Sequence, residues 1–299
     1  MEIIFLGTSG GMPTETRNLP SIVLRREGKL FMFDCGEGTQ KQMMRTKIGF
    51  NRGMNVFISH MHGDHVLGLP GMIQSMALLR REKPLSIYGP KGIIGFLEAI
   101  NTHVPYVPSF ETKIYEIQEG IILDDPEYFI QATQVDHSDL SYAFAFTEKP
   151  RPGKFNPKAA LKLNIPEGPL WKDLQLGNPI TLDGRVINPR KVVGPPRPGR
   201  KVVYSGDTRP CPSILRLARS ADALIFESTF DESKSNKAKE YRHSTSTQAA
   251  KIAKKARAKR LYLTHLSAIY DDQDRTPLKQ ARKIFRQTIL ATDLLKIKV

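Results

Sequence analysis

The chain has 299 residues, 45 Lys plus Arg against 30 Asp plus Glu, and a formal net charge of +15. That length buries a substantial core, and the charge favours an anionic partner, nucleic acid ahead of membrane, over a merely basic surface. Cys35 and Cys211 stand outside any CxxC pair, which excludes a disulfide framework and a cysteine-rich zinc site and points to a reducing, cytoplasmic setting.

The opening MEIIFLGTSGG lacks the basic start and long apolar run of a signal peptide, and no apolar stretch approaches the roughly 20 residues of a membrane span. EIIFLG, SIVLRR and KLFMFD read as strands, separated by the loop TSGGMPTETRNLP and the turn EGK. MNVFIS is the next strand, LGLPGMIQSMALLRR a helix with Pro near its start, and LSIYGP then KGIIGFLEAINTH repeat the alternation. The middle is β-rich, with TKIYEI, YFIQATQV and SYAFAF. Residues 149–179 are rich in Pro, Gly and Lys and weak in periodicity, as expected of a functional arm or lid, or of an ordinary insertion. The strand pattern resumes at RKVV and KVVYSGD.

Helix PSILRLARSA, strand DALIFEST, helix TSTQAAKIAKKARAKR, strand RLYLTHLS and a last helix PLKQARKIFRQTI complete the chain. In helix TSTQAAKIAKKARAKR, Ala249, Ile252, Ala253 and Ala256 form a core stripe. Lys251, Lys254, Lys255 and Arg257 lie off it, on a face open to solvent or to RNA. The expected class is α/β: two mixed β-sheets flanked by helices in an αββα sandwich, one domain over residues 1–299 with an inserted arm at 149–179.

HMHGDH, residues 60–65, holds three of the chain's seven histidines at the end of one strand. In an extended segment the side chains of His60 and His62 point the same way and reach one ion. Gly63 permits a turn, after which Asp64 and His65, as neighbours in a loop, are placed to serve a second ion. His137, Asp207 and His265 share one context, a β-run and then a ligand-type residue where the strand stops. His60, His62 and His137 would hold one metal, Asp64, His65 and His265 the other, with Asp207 bridging. A site of imidazole and carboxylate without thiolate reads as catalytic, and two zinc ions form a clamp suited to phosphate chemistry. Manganese and iron suit the same donors.

The pattern HxHxDH with downstream His, Asp and His resembles the metallo-β-lactamase superfamily, which implies that superfamily's hydrolase fold and zinc. Within it, HMHGDHVLGLPG, FDCGEGTQ at 33–40, Gly206-Asp207-Thr208 and His243-Ser244-Thr245 resemble the tRNase Z family. The early loop PTETRN keeps Pro13, Arg17 and Asn18 of that family's pattern, with Glu15 where a basic residue is usual; Phe226 and the Ala268-Ile269-Tyr270 run are further departures.

The resemblance implies a homodimer acting on precursor tRNA, with segment 149–179 as a flexible exosite arm. Lys154, Lys158, Lys162, Gly168, Pro169 and Lys172 would contact RNA there, and Arg17 and Asn18 would lie near the cleaved phosphate. Trp171 would stack on RNA or pack inside the arm. A hydroxide shared by the metals and oriented by Asp64 would attack phosphorus. His243, set before a helix opened by Thr245 and Gln248 and paired with Glu227, would protonate the leaving 3′ oxygen. Products would be a 3′-hydroxyl on the tRNA and a 5′-phosphate on the trailer. The competing readings are a small-molecule phosphodiesterase or thioester hydrolase, and an RNA-binding protein with a relict metal site.

Overall fold

The structure is a computed structural model and describes residues 1–107, 109–270 and 273–299. The chain forms two compact units, one of residues 1–123, 130–146 and 201–299, the other of residues 124–129 and 147–200.

The larger unit carries two seven-stranded sheets. In the first, the order is Lys296–Lys298, Glu2–Gly7, Ser21–Arg26, Lys29–Phe33, Met54–Phe57, Leu85–Gly89 and Thr112–Glu116. The hairpin between its third and fourth strands turns on Glu27 (φ 49°) and Gly28 (φ 83°). Two consecutive left-handed residues match the twist of the flanking strands, which is why the sequence places Gly there. In the second sheet the order is Thr288–Leu290, Leu261–Thr264, Ala223–Glu227, Lys201–Tyr204, Tyr142–Glu148, Tyr128–Gln134 and Gly120–Asp124. Its first four strands run parallel, so all of them end at one edge.

Aromatic side chains join the two sheets. Phe33 lies 6.0 Å from Phe144 and 5.8 Å from Tyr204 between ring centroids, and Phe57 lies 5.7 Å from Phe144. Each fully buried side chain of this size contributes on the order of 1.5–3 kcal/mol. Helices cover both outer faces. Met43, Met72, Ile73 and Leu97 pack on the first sheet, and Ala249, Ile252, Ala253 and Ala256 on the second. The expected αββα layering is present in this unit, and the predicted alanine stripe is its helical contact.

Three local expectations differ. RKVV is not a sheet strand: Pro189–Lys191 is a 3-10 turn and Val193 makes one isolated bridge to Phe155. Proline after an Asn cap favours the turn over extension. The last helix stops at Ile284 rather than Ile289, and Thr288–Leu290 adds a parallel strand beside Leu261–Leu263. The β-branched Thr288 and Ile289 suit the sheet better than a helix end. The strand read as RLYLTHLS breaks at His265, between Leu261–Thr264 and Leu266–Ser267.

The smaller unit has its own core of Ala160, Ile165, Leu174, Ile180, Ile187 and Val192. Asn156 caps the helix Pro157–Lys162 by accepting from Ala159 N–H at 3.1 Å. Gly168 precedes the helix Pro169–Leu176, and Ile180–Leu182 pairs with Arg185–Ile187 as a hairpin. Trp171 packs: its indole N–H donates to Ile165 O at 3.1 Å and its ring lies 5.0 Å from Phe155. Segment 149–179 thus has regular structure. Its two helices, six and eight residues long, are too short to show a periodicity, although proline at the start of each marks them.

Candidate metal centre

Parallel strands carry the candidate ligands out of the sheets at their carboxyl ends, where α/β folds hold ligands. His60 and His62 follow Met54–Phe57, Asp207 follows Lys201–Tyr204, and His265 follows Leu261–Thr264. His137 follows the antiparallel strand Tyr128–Gln134. Asp64 and His65 do not lie in a loop. They sit on the one-turn helix Gly63–Val66, and that turn brings Asp64 Oδ2 to 3.4 Å from His65 Nε2.

The side chains gather into overlapping groups, each with ligand atoms within 4.8 Å of one another: His60, His62 and His137; Asp64, His65 and His265; His60, His65 and Asp207. Asp207 is the centre. Its Oδ2 lies 3.2 Å from both His65 Nε2 and His265 Nε2, 3.7 Å from His60 Nε2 and 3.9 Å from His137 Nε2.

Hydrogen bonds on the far side of each ring fix which nitrogen faces inward. His65 Nδ1 lies 2.7 Å from Asp34 Oδ2, so it donates there. Ser59 Oγ donates to the same carboxylate oxygen at 2.8 Å and therefore accepts from His60 Nδ1 at 3.0 Å. His137 Nδ1 donates to Arg242 O at 3.2 Å. Each bond leaves an Nε2 lone pair turned inward, the usual arrangement of metal-binding histidines. Among the described residues, His60 Nε2, His65 Nε2, His265 Nε2 and Asp207 Oδ1 are buried without a hydrogen-bond partner. Unpaired buried donors and acceptors are costly, and a coordinated cation removes that cost. These residues fit a metal.

The electrostatics agree. Burial opposes charge on His65, yet the Asp207 and Asp34 carboxylates hold its ring well above the ordinary value. Burial, with His65 beside it, holds His60 well below. Burial would raise Asp64, but the His265 and His65 rings beside it hold it well below the carboxylate range. Negative charge fixed in a buried site favours a cation there.

Glu227 and His243 stand beside this cluster. Glu227 Oε1 accepts from Thr208 N–H at 3.0 Å and faces His243 Nδ1 at 2.9 Å. Its Oε2 accepts from Thr229 N–H at 3.1 Å and Thr229 Oγ1 at 2.7 Å. Burial would lower His243, but Glu227 outweighs it and pushes the ring up to about 9. Thr245 and Gln248 form the expected capping box on the helix that follows.

Full-length likeness decides the family. A ribonuclease Z from Methanosarcina acetivorans is 43% identical over 299 residues, spanning 100% of this chain and 98% of its own. One from Methanothermobacter thermautotrophicus is 44% identical, again across 100% of this chain and 97% of its own. The chain belongs to the ribonuclease Z family. It is an endonuclease on the metallo-β-lactamase fold. The crystal structure of human tRNase Z, short form, is similar over 100% of this chain and 99% of that one, with a TM-score of 0.74 and 28% identity. A family model described as "Beta-lactamase superfamily domain" matches residues 191–266, and one described as "Anti-Pycsar protein Apyc1" matches residues 1–99.

Two of the expected substrate contacts in this ribonuclease Z family chain are spent internally. Arg17 is 4% exposed, and its guanidinium donates to Thr8 Oγ1 at 2.7 Å and Ala291 O at 2.9 Å. Asn18 donates its backbone N–H to Asp293 Oδ2 at 2.8 Å and its side-chain amide to Glu37 O at 2.9 Å. Both hold the early loop in place rather than reach outward. That loop instead offers a backbone group, since Gly11 N–H donates to Asp64 Oδ2 at 2.9 Å.

Sequence reasoning missed Asp34, Thr229 and Asp293. Asp34 ends the apolar run KLFMFD as Asp207 ends KVVYSGD, so the same signal was available for it. In the smaller unit, Lys154, Lys158, Lys162, Gly168, Pro169 and Lys172 are all exposed. A groove of about 660 Å³ there is lined by Lys154, Lys158, Arg190 and Lys191 among others, and the last two lie beyond the segment singled out in the sequence.

Proposed function

We propose that this chain is a zinc-dependent, cytoplasmic, homodimeric endonuclease that cuts the 3′ trailer from precursor tRNA. The cut would leave a 3′-hydroxyl on the tRNA and a 5′-phosphate on the trailer. One observation carries the reading: His243, held by Glu227, has its Nδ1 4.0 Å from the Asp207 carboxylate at the centre of the ligand cluster, in a chain aligned end to end with ribonuclease Z.

His60, His62 and His137 would hold one zinc, Asp64, His65 and His265 the other, with Asp207 shared. When bound, the ions supply Lewis-acid charge that acidifies water and neutralises phosphate oxygens. Asp64, kept ionised by its neighbours and anchored by Gly11 N–H, would orient the attacking water. As the new oxygen–phosphorus bond forms, the attacking water gives up a proton to solvent and the bond from phosphorus to the tRNA 3′ oxygen breaks. His243 gives that oxygen the proton on Nε2, because Nδ1 is committed to Glu227. Lys154, Lys158, Lys162 and Lys172 on the smaller unit, with Arg190 and Lys191 at its groove, suit contacts to RNA phosphates.

The test is cleavage of end-labelled precursor tRNA by protein stripped with a chelator and reloaded with zinc. Activity should return with zinc, and the tRNA product should accept ligation at its 3′-hydroxyl. A 2′,3′-cyclic phosphate product, or cleavage unchanged by stripping, would overturn the reading.

A further inference from the structure

His265 is held in an unusual way. Its backbone is left-handed, with φ 57°, between the strand Leu261–Thr264 and the two residues Leu266–Ser267. Few non-glycine residues adopt that conformation unless their surroundings impose it. The surroundings are visible. Leu266 and Ser267 pair in parallel with Ser9 and Gly10, and Leu266 N–H donates to Thr8 O at 3.0 Å.

Two contacts then fix the ring. The first is at Gly10. A Cβ there would lie 2.4 Å from both Cε1 and Nδ1 of His265, a distance that side chains do not tolerate. The backbone of Gly10 therefore lies flat against the imidazole, and the position requires glycine for space. The second is at Thr229, whose Oγ1 lies 2.9 Å from His265 Nδ1. A hydroxyl has one proton, and Thr229 gives it to Glu227 Oε2 at 2.7 Å, because a carboxylate only accepts. The hydroxyl oxygen must then accept from His265 Nδ1–H. This leaves Nε2 with its lone pair bare and buried, without a hydrogen-bond partner among the described residues, 3.2 Å from Asp207 Oδ2 and 3.4 Å from Asp64 Oδ2.

We infer that Thr229 and Gly10 are positioning residues for the metal ion held by Asp64, His65 and His265: Thr229 sets the tautomer of His265 and Gly10 sets its ring plane. The same Thr229 proton also anchors Glu227, the partner of His243. One hydroxyl thus ties the proton donor to one of the two proposed ions. The other ion's group, His60, His62 and His137, has no bond to Thr229 or Gly10 among the described contacts, so the two ions should respond differently.

This inference rests on the metal reading of the cluster. It is tested by zinc titration against a competing chelator, with bound metal counted by elemental analysis, on full-length wild type, Thr229→Ser, Thr229→Val and Gly10→Ala. Wild type should hold two ions. Thr229→Val should bind one of them roughly 10–100-fold more weakly and keep the other. Thr229→Ser, which retains the hydroxyl, should restore both affinities. Gly10→Ala should weaken the same single ion, with circular dichroism reporting the fold; if either variant is unfolded, the other and the serine variant still decide. Wild-type affinity for both ions in Thr229→Val or in Gly10→Ala would overturn the inference, as would equal weakening of both ions in a folded protein. A wild type that takes up no metal would instead remove the metal reading beneath it.

Discussion

Asp34 Oδ2 lies 2.7 Å from His65 Nδ1, with both side chains fully buried. The same carboxylate accepts from Ser59 N–H at 2.6 Å, Ser59 Oγ at 2.8 Å and Tyr204 O–H at 2.7 Å. Asp34 thus sets the ring of His65 directly and that of His60 through Ser59. It also ties the end of Lys29–Phe33, in one sheet, to Tyr204 at the end of a strand in the other. Asp34→Asn should keep the shape but lose the anionic acceptor. Metal affinity should fall roughly 10–100-fold, read by chelator competition. Tyr204→Phe removes one donor from the buried carboxylate and should lower unfolding stability by about 1–3 kcal/mol in urea titration.

His243 should matter for turnover and not for metal. His243→Ala should lower kcat by roughly 10²–10⁴-fold on precursor tRNA, while zinc content and tRNA affinity stay at wild-type values. A collapse of zinc content would make His243 a ligand.

The pH profile follows from the same ring. Glu227 raises His243 to about 9, so the donor is protonated below that value and lost as pH rises through it. Bound cations lower the figure. Wild-type kcat should therefore show a basic limb at or below about 9 that is absent in His243→Ala. A wild-type basic limb that persists unchanged in the variant would assign the limb to another group.

The groove of the smaller unit should act on binding alone. Replacing Lys158, Arg190 and Lys191 with Ala should raise KM for precursor tRNA and flatten its salt dependence by about 0.7–0.9 per lost phosphate contact. Hydrolysis of bis(p-nitrophenyl) phosphate should be unaffected. Equal loss of both activities would remove the groove from RNA binding. Deleting residues 150–176 is a poorer test, because it removes Ala160, Ile165 and Leu174 from a core that also needs Ile180, Ile187 and Val192.

The two thiols should differ sharply. Burial, chiefly, pushes the Cys35 thiol up to about 12, while Cys211 is half-buried. Native protein at pH 8 should titrate a single thiol with a disulfide reagent, and Cys211→Ser should titrate none until denaturant is added. Prompt reaction of two thiols in the folded protein would contradict the buried environment of Cys35.

The strand–helix alternation, the αββα class and the residue types that end each central strand were legible in the amino-acid sequence. These are local properties. Apolar runs, turn glycines and capping residues act over a few neighbours, and HMHGDH, GDT, His137 and His265 each announce themselves at a strand end. Contacts between residues distant along the chain are set by the fold. Arg17 lies in a motif that suggests a substrate contact, but Thr8 and Ala291 O, the latter 274 residues away, take its guanidinium. Asp34 becomes a partner of His65 only because the strand carrying it lies parallel beside Met54–Phe57. Gly10 meets His265 because two short segments 257 positions apart pair in parallel. Sequence spacing carries no information about such pairs. The proton on Thr229, and with it the face of His265 left bare, follows only from the distances among three side chains that folding brings together.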